Sequence, residues 1–385
     1  MSRPFPQVGV SISFDPDAAR AARLAAMEAM EQAQLTEAAW ACCFFTNTHL
    51  ARAGAIRQGV LTETHCRVLC GTSAQGVQTL GAETETGPGV VVMVGGREIS
   101  AAGGVLPSDG ANLMGFFGTE PGSLLLLFPD LFRVNVEELL GTFAGGLGHT
   151  EIAGAGSGDG TPDSGLQLGL SGPRAGTVAA LGLKGSFRAV VGVASGAQPV
   201  GEPRRVTQAE PGVLLTLDDQ PALQVFMNTA EQLGMTNLDQ ALAELRVGFH
   251  LEEPPSPLAT FQQENRCTPR PVTGLTAQQG LRVHLPPGAH ATISFLRANP
   301  AWALEETRRM AQQMNEDLGG PPQLAFYFSS VGRGALLHGR RQADTTVLRN
   351  VWGDFPLAGL MGGLEISKGG VHNLTGVLAA LRWLE

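Results

Sequence analysis

Three short glycine-rich segments carry the residues best placed to do chemistry. Gly71-Thr72-Ser73-Ala74-Gln75-Gly76 sets two hydroxyls among glycines. Gly154-Ala155-Gly156-Ser157-Gly158-Asp159-Gly160 adds a hydroxyl and a carboxylate, and Gly359-Leu360-Met361-Gly362-Gly363-Leu364-Glu365 ends on a second carboxylate. Backbone N–H groups bared by glycine can cradle a carboxylate or another anion. The same glycines can instead make tight turns where strands leave a sheet. Phe328-Ser329-Ser330-Val331-Gly332-Arg333-Gly334 could fix an anionic group through its hydroxyls and guanidinium; alternatively Ser330 caps a helix and Arg333 lies on the surface. His372 and Asn373 follow Glu365 within eight positions. That acid, imidazole and amide suit ammonium binding or acid–base work, or the bonding of a loop to its own backbone.

Other chemistries fit poorly. No Gly-Lys-Ser/Thr marks a P-loop, and Gly154, Gly156 and Gly158 lack dinucleotide-binding spacing. No G-x-S-x-G elbow occurs. His65, Cys66 and Cys70 miss the usual zinc spacing, and the carboxylates near the second segment miss that of a calcium loop. No metal or cofactor is expected. Cys42-Cys43 sits in an apolar run and reads as packing. Five scattered cysteines, including Cys267, suit a reducing cytosol rather than a disulfide framework.

Composition narrows the class further. The 385 residues are 43% hydrophobic and only 16% charged, with a net charge of −9 and no basic stripe. Nucleic-acid binding, which needs a concentrated positive footprint, is disfavoured. Apolar runs are strand-length, far short of the ~20 residues of a membrane span, and Met1 to Pro6 shows no secretory pattern. A cytoplasmic protein is expected, with the residue usage of GC-rich bacterial genomes.

The elements that must position these segments recur. A strand, a helix and a second strand lead from Trp40 to Gly71, from Leu124 to Gly154 and from Leu324 to Gly359, spans of 31, 30 and 35 residues. The carboxyl end of a strand in an α/β protein is where small ligands bind. Before the first copy, Val8 to Phe14 reads as a strand and Asp15-Pro16-Asp17 as the start of a helix, with Asp15 at the cap. Ile293-Ser294-Phe295 and Asn299-Pro300 repeat that opening before the third copy. Asn135 with Glu138 resembles a capping box. Val90–Val94 and Ile99–Ala102 read as a hairpin, as do Val213–Leu217 and Asp218-Asp219. The Pro-rich stretch from about 250 to 288 reads as a crossover. The fold class is α/β: duplicated βαβαβ units with mixed sheets and added β-hairpins, two related halves packed together, with a boundary near 220.

These segments, in this order, resemble the FIST family, with its paired N-terminal and C-terminal domains. Gly71 to Gly76 is similar to the family's first glycine turn and Gly154 to Gly160 to its second. Pro199-Val200-Gly201, Val206-Thr207 and Leu217 to Ala222 resemble the hairpin closing the N-terminal domain. Phe328 to Gly334, Leu357-Ala358-Gly359, Glu365 and His372 to Thr375 resemble the C-terminal signature. The chain departs from the pattern at Val77, Ser330 and Leu364, where the family often has Glu, Cys and Gly.

The resemblance implies domains at 1–220 and 221–385 and a sensory module that binds a small polar metabolite such as an amino acid. A signalling output would pass to a separate protein. Backbone N–H groups near Gly71, Thr72, Ser73, Gly156 and Ser157, with Ser329, Ser330 and Arg333, would take an anionic end. Asp159 and Glu365 would take a cationic end, and His372 and Asn373 would orient the ligand. The alternative is a hydrolase acting on a small amide or lactam, with Ser73 or Ser330 as nucleophile and His372 as base.

Overall fold

Three strands that are buried along their whole length organise the first part of the molecule. Trp40–Thr46, Ser123–Pro129 and Leu324–Ser330 are nearly continuous apolar runs, the pattern of strands covered on both faces. Each pairs in parallel with the strand that follows its helix: Val68–Ala74, Glu151–Ala155 and Leu357–Gly362. The helices between are Ala53–Thr64, Val136–Ala144 and Ala343–Trp352. These are features of a computed structural model that describes residues 7–106, 123–144, 147, 149–250, 268–284 and 292–384.

The three copies are elaborated identically. On its far side each first strand takes an antiparallel strand, respectively Val90–Gly95, Val178–Lys184 and Thr375–Trp383. An outer strand follows: Val8–Ser13, Ser100–Leu106 and Phe187–Ser195. Each second strand takes an antiparallel hairpin that does not belong to its own copy. Gln167–Gly169 joins Val68–Ala74, Glu365–Ser367 joins Glu151–Ala155, and Gly76–Thr79 joins Leu357–Gly362. Each copy thus hands its hairpin to the preceding one in a closed cycle. The exchange covers an edge that would otherwise expose unpaired backbone groups.

The first strands bring Phe44, Phe128 and Phe328 together, all fully buried. Their rings meet edge-on, with centroids 5.1, 5.4 and 6.1 Å apart. Such geometry favours each pair beyond the area it buries.

Packing divides the chain into two compact units. One comprises Met1–Val193, Thr307–Val371 and Gly376–Glu385, and the other Ala194–Glu306 and His372–Thr375. The division differs from the expected boundary near 220. Residues 307–371 and 376–385 return to the first unit and supply most of its third copy. The second unit begins at the end of the outer strand Phe187–Ser195 and ends within the helix Pro300–Leu318.

The second unit is an antiparallel sheet in the order Ala197–Glu210, Thr292–Ala298, Leu245–Phe249, Thr268–Leu275, Leu281–Val283, Val213–Leu217 and Gln220–Pro221. Helices Ala222–Gln232 and Leu238–Glu244 accompany it, and Phe226 packs edge-on to Phe295.

The α/β class is observed, and several local expectations change. The strand Thr292–Ala298 lies in the second unit's sheet rather than in that of Leu324–Ser330, whose outer strand, beyond Thr375–Trp383, is Phe187–Ser195. Val90–Gly95 and Ser100–Leu106 are not a hairpin, because consecutive copies claim them for different sheets. Helix Ala18–Ala33 is capped by Asp17, whose Oδ1 accepts from Arg20 N at 2.8 Å, and not by Asp15. The Asn135 cap is made, with Oδ1 accepting from Glu138 N at 3.3 Å. Most of the Pro-rich stretch, with Cys267 and the N-terminal six residues, lies outside the described residues.

Candidate functional site

The glycines that open the three segments occupy one equivalent position. Gly71 pairs with Cys43, Gly154 with Leu127 and Gly359 with Tyr327, each partner just preceding a central phenylalanine. A Cβ at any of the three would fall 2.5 Å or less from the partner's carbonyl oxygen. The recurrence therefore answers a close strand approach. Gly71, Thr72, Ser73 and Gly359 are strand residues, not loop residues.

The segments do meet, and they bond to one another. Gly158 N donates to Ser73 O at 2.9 Å, Gln75 N to Met361 O at 3.2 Å and Gly156 N to Leu364 O at 2.8 Å. Ser73 N donates to Leu166 O at 2.9 Å. Ser73 Oγ donates to Ser164 O at 2.7 Å and accepts from Leu166 N at 2.9 Å. Thr72 Oγ1 donates to Leu166 O, and Ser157 Oγ to Pro129 O. The amides of Ser73 and Gly156 and these hydroxyls are thus hydrogen-bonded inside the fold.

The expected acids differ. Glu365 is fully buried in a strand opposite Ala155. Asp159 is partly exposed. Burial works against its charge, but hydrogen bonds from Thr161 (Oγ1 at 2.6 Å and N at 3.1 Å), Asn47 and Ser164 together outweigh it and the carboxyl sits at about 2. His372 and Asn373 belong to the second unit. Burial first, and then Arg270, push the His372 imidazole down to about 3. A base that weak is poorly matched to neutral pH.

Arg333 is completely buried, which removes the alternative of a surface residue, and Ser330 makes no cap bond. Its anion is the protein's own. Arg333 Nε donates to Asp344 Oδ2 at 2.8 Å, and Nη2 to Asp344 Oδ1 at 3.2 Å and Thr307 Oγ1 at 2.6 Å. Tyr327 Oη, from the chain's single tyrosine, donates to Asp344 Oδ2 at 2.9 Å. Burial opposes the Asp344 charge, but the guanidinium outweighs it and holds the carboxyl below its ordinary value. Ser329, Gln78, Glu83 and His338 border the same cluster around a void of about 10 Å³, room for one water. Burial lifts Glu83 to about 6 even though it accepts Gln342 N at 2.7 Å.

An open cavity lies within the second unit. Its volume is about 220 Å³, and Arg204, Asp218, Gln220, Val225, Asn228, Thr229 and Gln232 line it. The last four stand at i, i+3, i+4 and i+7 on helix Ala222–Gln232, so one helical face forms a wall. The facing residues come from a hairpin whose turn, Asp218-Asp219, has φ of 50° and 63°, the left-handed pair of a tight two-residue connection. Strand Ala197–Glu210 loses register between Val200 and Arg204, a bulge that re-aims Arg204. Arg204 Nη1 donates to Asp218 Oδ2 at 3.3 Å, and Asp218 Oδ1 accepts from Arg205 N at 2.9 Å. Arg204 Nε is buried and has no partner.

Reading the sequence missed Asp344, Thr307, Glu83 and the whole wall of the larger cavity. The hairpin motif at 217–222 pointed toward it, but Arg204 and Asn228 join it only through a bulge and a helix face.

A FIST N domain is detected over residues 39–220. The match takes in the strand–helix–strand cores of the first two copies and the opening strands of the second unit, including Arg204 and Asp218. FIST domains form a family of signal-transduction sensory domains thought to bind small ligands. An uncharacterized protein of Mycobacterium tuberculosis is 27% identical, covering 95% of this chain and 96% of its own length. An uncharacterized protein of Mycobacterium bovis is 26% identical over 97% of this chain and 98% of its own. Among the described residues no helix is long and apolar enough to cross a membrane.

Proposed function

We propose that this chain is a cytoplasmic sensory protein that binds a small polar metabolite and signals through a separate partner. Residues 221–385 would supply the second, C-terminal FIST domain. The observation that carries the binding role is the 220 Å³ polar cavity of the second unit. It is smaller than the ~300–1,000 Å³ of drug-sized sites, and six of its seven lining residues can hydrogen-bond. At the glycine junction, by contrast, several backbone amides bond to carbonyls of the neighbouring segments.

Native mass spectrometry of the purified chain tests this reading. A retained small molecule is expected, lost when Asn228→Trp plugs the exposed helix face. A chain that carries nothing, and whose melting temperature no metabolite extract raises, would remove the binding role.

A further inference from the structure

We infer that the cavity of the second unit takes a small uncharged polyol; this rests on the binding role proposed above. The strands of that unit close into a ring, because Ala197–Glu210 pairs with Thr292–Ala298 over its first part and with Val213–Leu217 over its last. Arg204 and Asp218 stand at the seam, where the bulged strand passes from one neighbour to the other. The cavity lies between this seam and helix Ala222–Gln232.

The charges at the seam are already balanced. Arg204 Nη1 donates to Asp218 Oδ2 and Arg205 Nη2 to Asp219 Oδ2, each at 3.3 Å. An ion of either sign meets a like charge beside each opposite one, so net charge gives it no advantage there. What remains uncommitted is amide. Gln220 lines one side, and Asn228 and Gln232, one helical turn apart, line the other. All three are exposed, and none of their amides holds a hydrogen bond among the described residues. Each offers two donors and an acceptor. Thr229 gives its hydroxyl hydrogen to Val225 O at 3.0 Å, which leaves its oxygen as an acceptor. A hydroxyl donates and accepts at one atom, so a row of hydroxyls answers each of these groups. Val225 is the one apolar residue of the lining, and no aromatic side chain lines the cavity for a sugar ring to stack on. An open chain therefore fits better than a pyranose.

The test uses the full chain with sorbitol, gluconate and glucamine, which share one carbon skeleton and end in a hydroxyl, a carboxylate and an ammonium group. Xylitol serves as a shorter polyol. Calorimetry should show saturable binding of sorbitol or xylitol, about fivefold or more tighter than of either ion. Asn228→Leu and Gln232→Leu, at exposed helical positions, should each weaken it about fivefold, the loss of one neutral hydrogen bond. Asp218→Asn keeps an acceptor for Arg205 N but unbalances the charge, and should tighten gluconate more than sorbitol. Gluconate or glucamine binding the unaltered chain as tightly as sorbitol overturns the uncharged ligand and leaves the cavity as a ligand site. Polyol binding untouched by both leucine variants places it elsewhere and overturns the inference. No binding by either polyol also overturns it, while a molecule retained in native mass spectrometry would keep the binding role standing.

Discussion

Gly154 lies directly against the carbonyl of Leu127 across a parallel strand pair, with no space for a methyl group. Gly154→Ala must push the strands apart or break the register that seats Phe128. Overpacking of this kind costs about 1–3 kcal/mol, occasionally more. Gly71→Ala and Gly359→Ala should behave alike, because their Cβ atoms meet Cys43 O and Tyr327 O in the same way. Gly141→Ala is the contrast: nothing lies within 4 Å of its Cβ in helix Val136–Ala144. That change should stabilise by about 0.5–1 kcal/mol. Urea unfolding of the four variants checks the pattern.

This relationship shows what the sequence could reveal. The spacing of Gly71, Gly154 and Gly359 was visible, because strand, helix and strand are local. The reason for the glycines was not, because it depends on which strands touch. The hairpin exchange was equally hidden: Gly76–Thr79 pairs with Leu357–Gly362, far apart in the sequence. The partners of Arg333 were hidden for the same reason: Asp344 and Thr307 reach it only in the folded chain.

The three phenylalanines should be energetically coupled. Phe128→Ala removes a fully buried ring that touches both others, a change worth about 3–5 kcal/mol. Phe44→Ala should cost a similar amount. In the double variant the losses should fall short of additivity by about 0.5–1.5 kcal/mol, because the edge-on contact is counted twice. Additive losses would mean that the rings act independently.

Asp344→Ala should be among the most damaging single changes in the third copy. It strands a buried guanidinium and the Tyr327 hydroxyl, and breaking a buried pair from one side costs about 3–5 kcal/mol. Arg333→Met together with Asp344→Leu removes both charges, so the pair should recover part of that loss. Thermal unfolding of single and double variants at equal ionic strength measures the difference. A double variant less stable than Asp344→Ala would show that the pair itself is net stabilising.

Acid should act on the fold through two groups of opposite sign. His372 stays neutral when folded, held at about 3 against an ordinary 6.5. Below about pH 6.5 the unfolded chain takes a proton that the folded one refuses. The stability this group contributes is therefore full above 6.5 and lost as pH falls toward 3, by as much as a few kcal/mol. Glu83 runs the other way, with a folded value of about 6 against 4.5. Its contribution is full below 4.5 and lost as pH rises through 6, by about 2 kcal/mol at most. Glu83→Gln keeps an acceptor for Gln342 N, so it should stabilise the protein at pH 7.5 and change little at pH 4. His372→Gln should flatten the decline between pH 6 and 4. Unfolding free energies across that range separate the two. A Glu83→Gln gain of equal size at both pH values would place its cause in packing rather than in the proton.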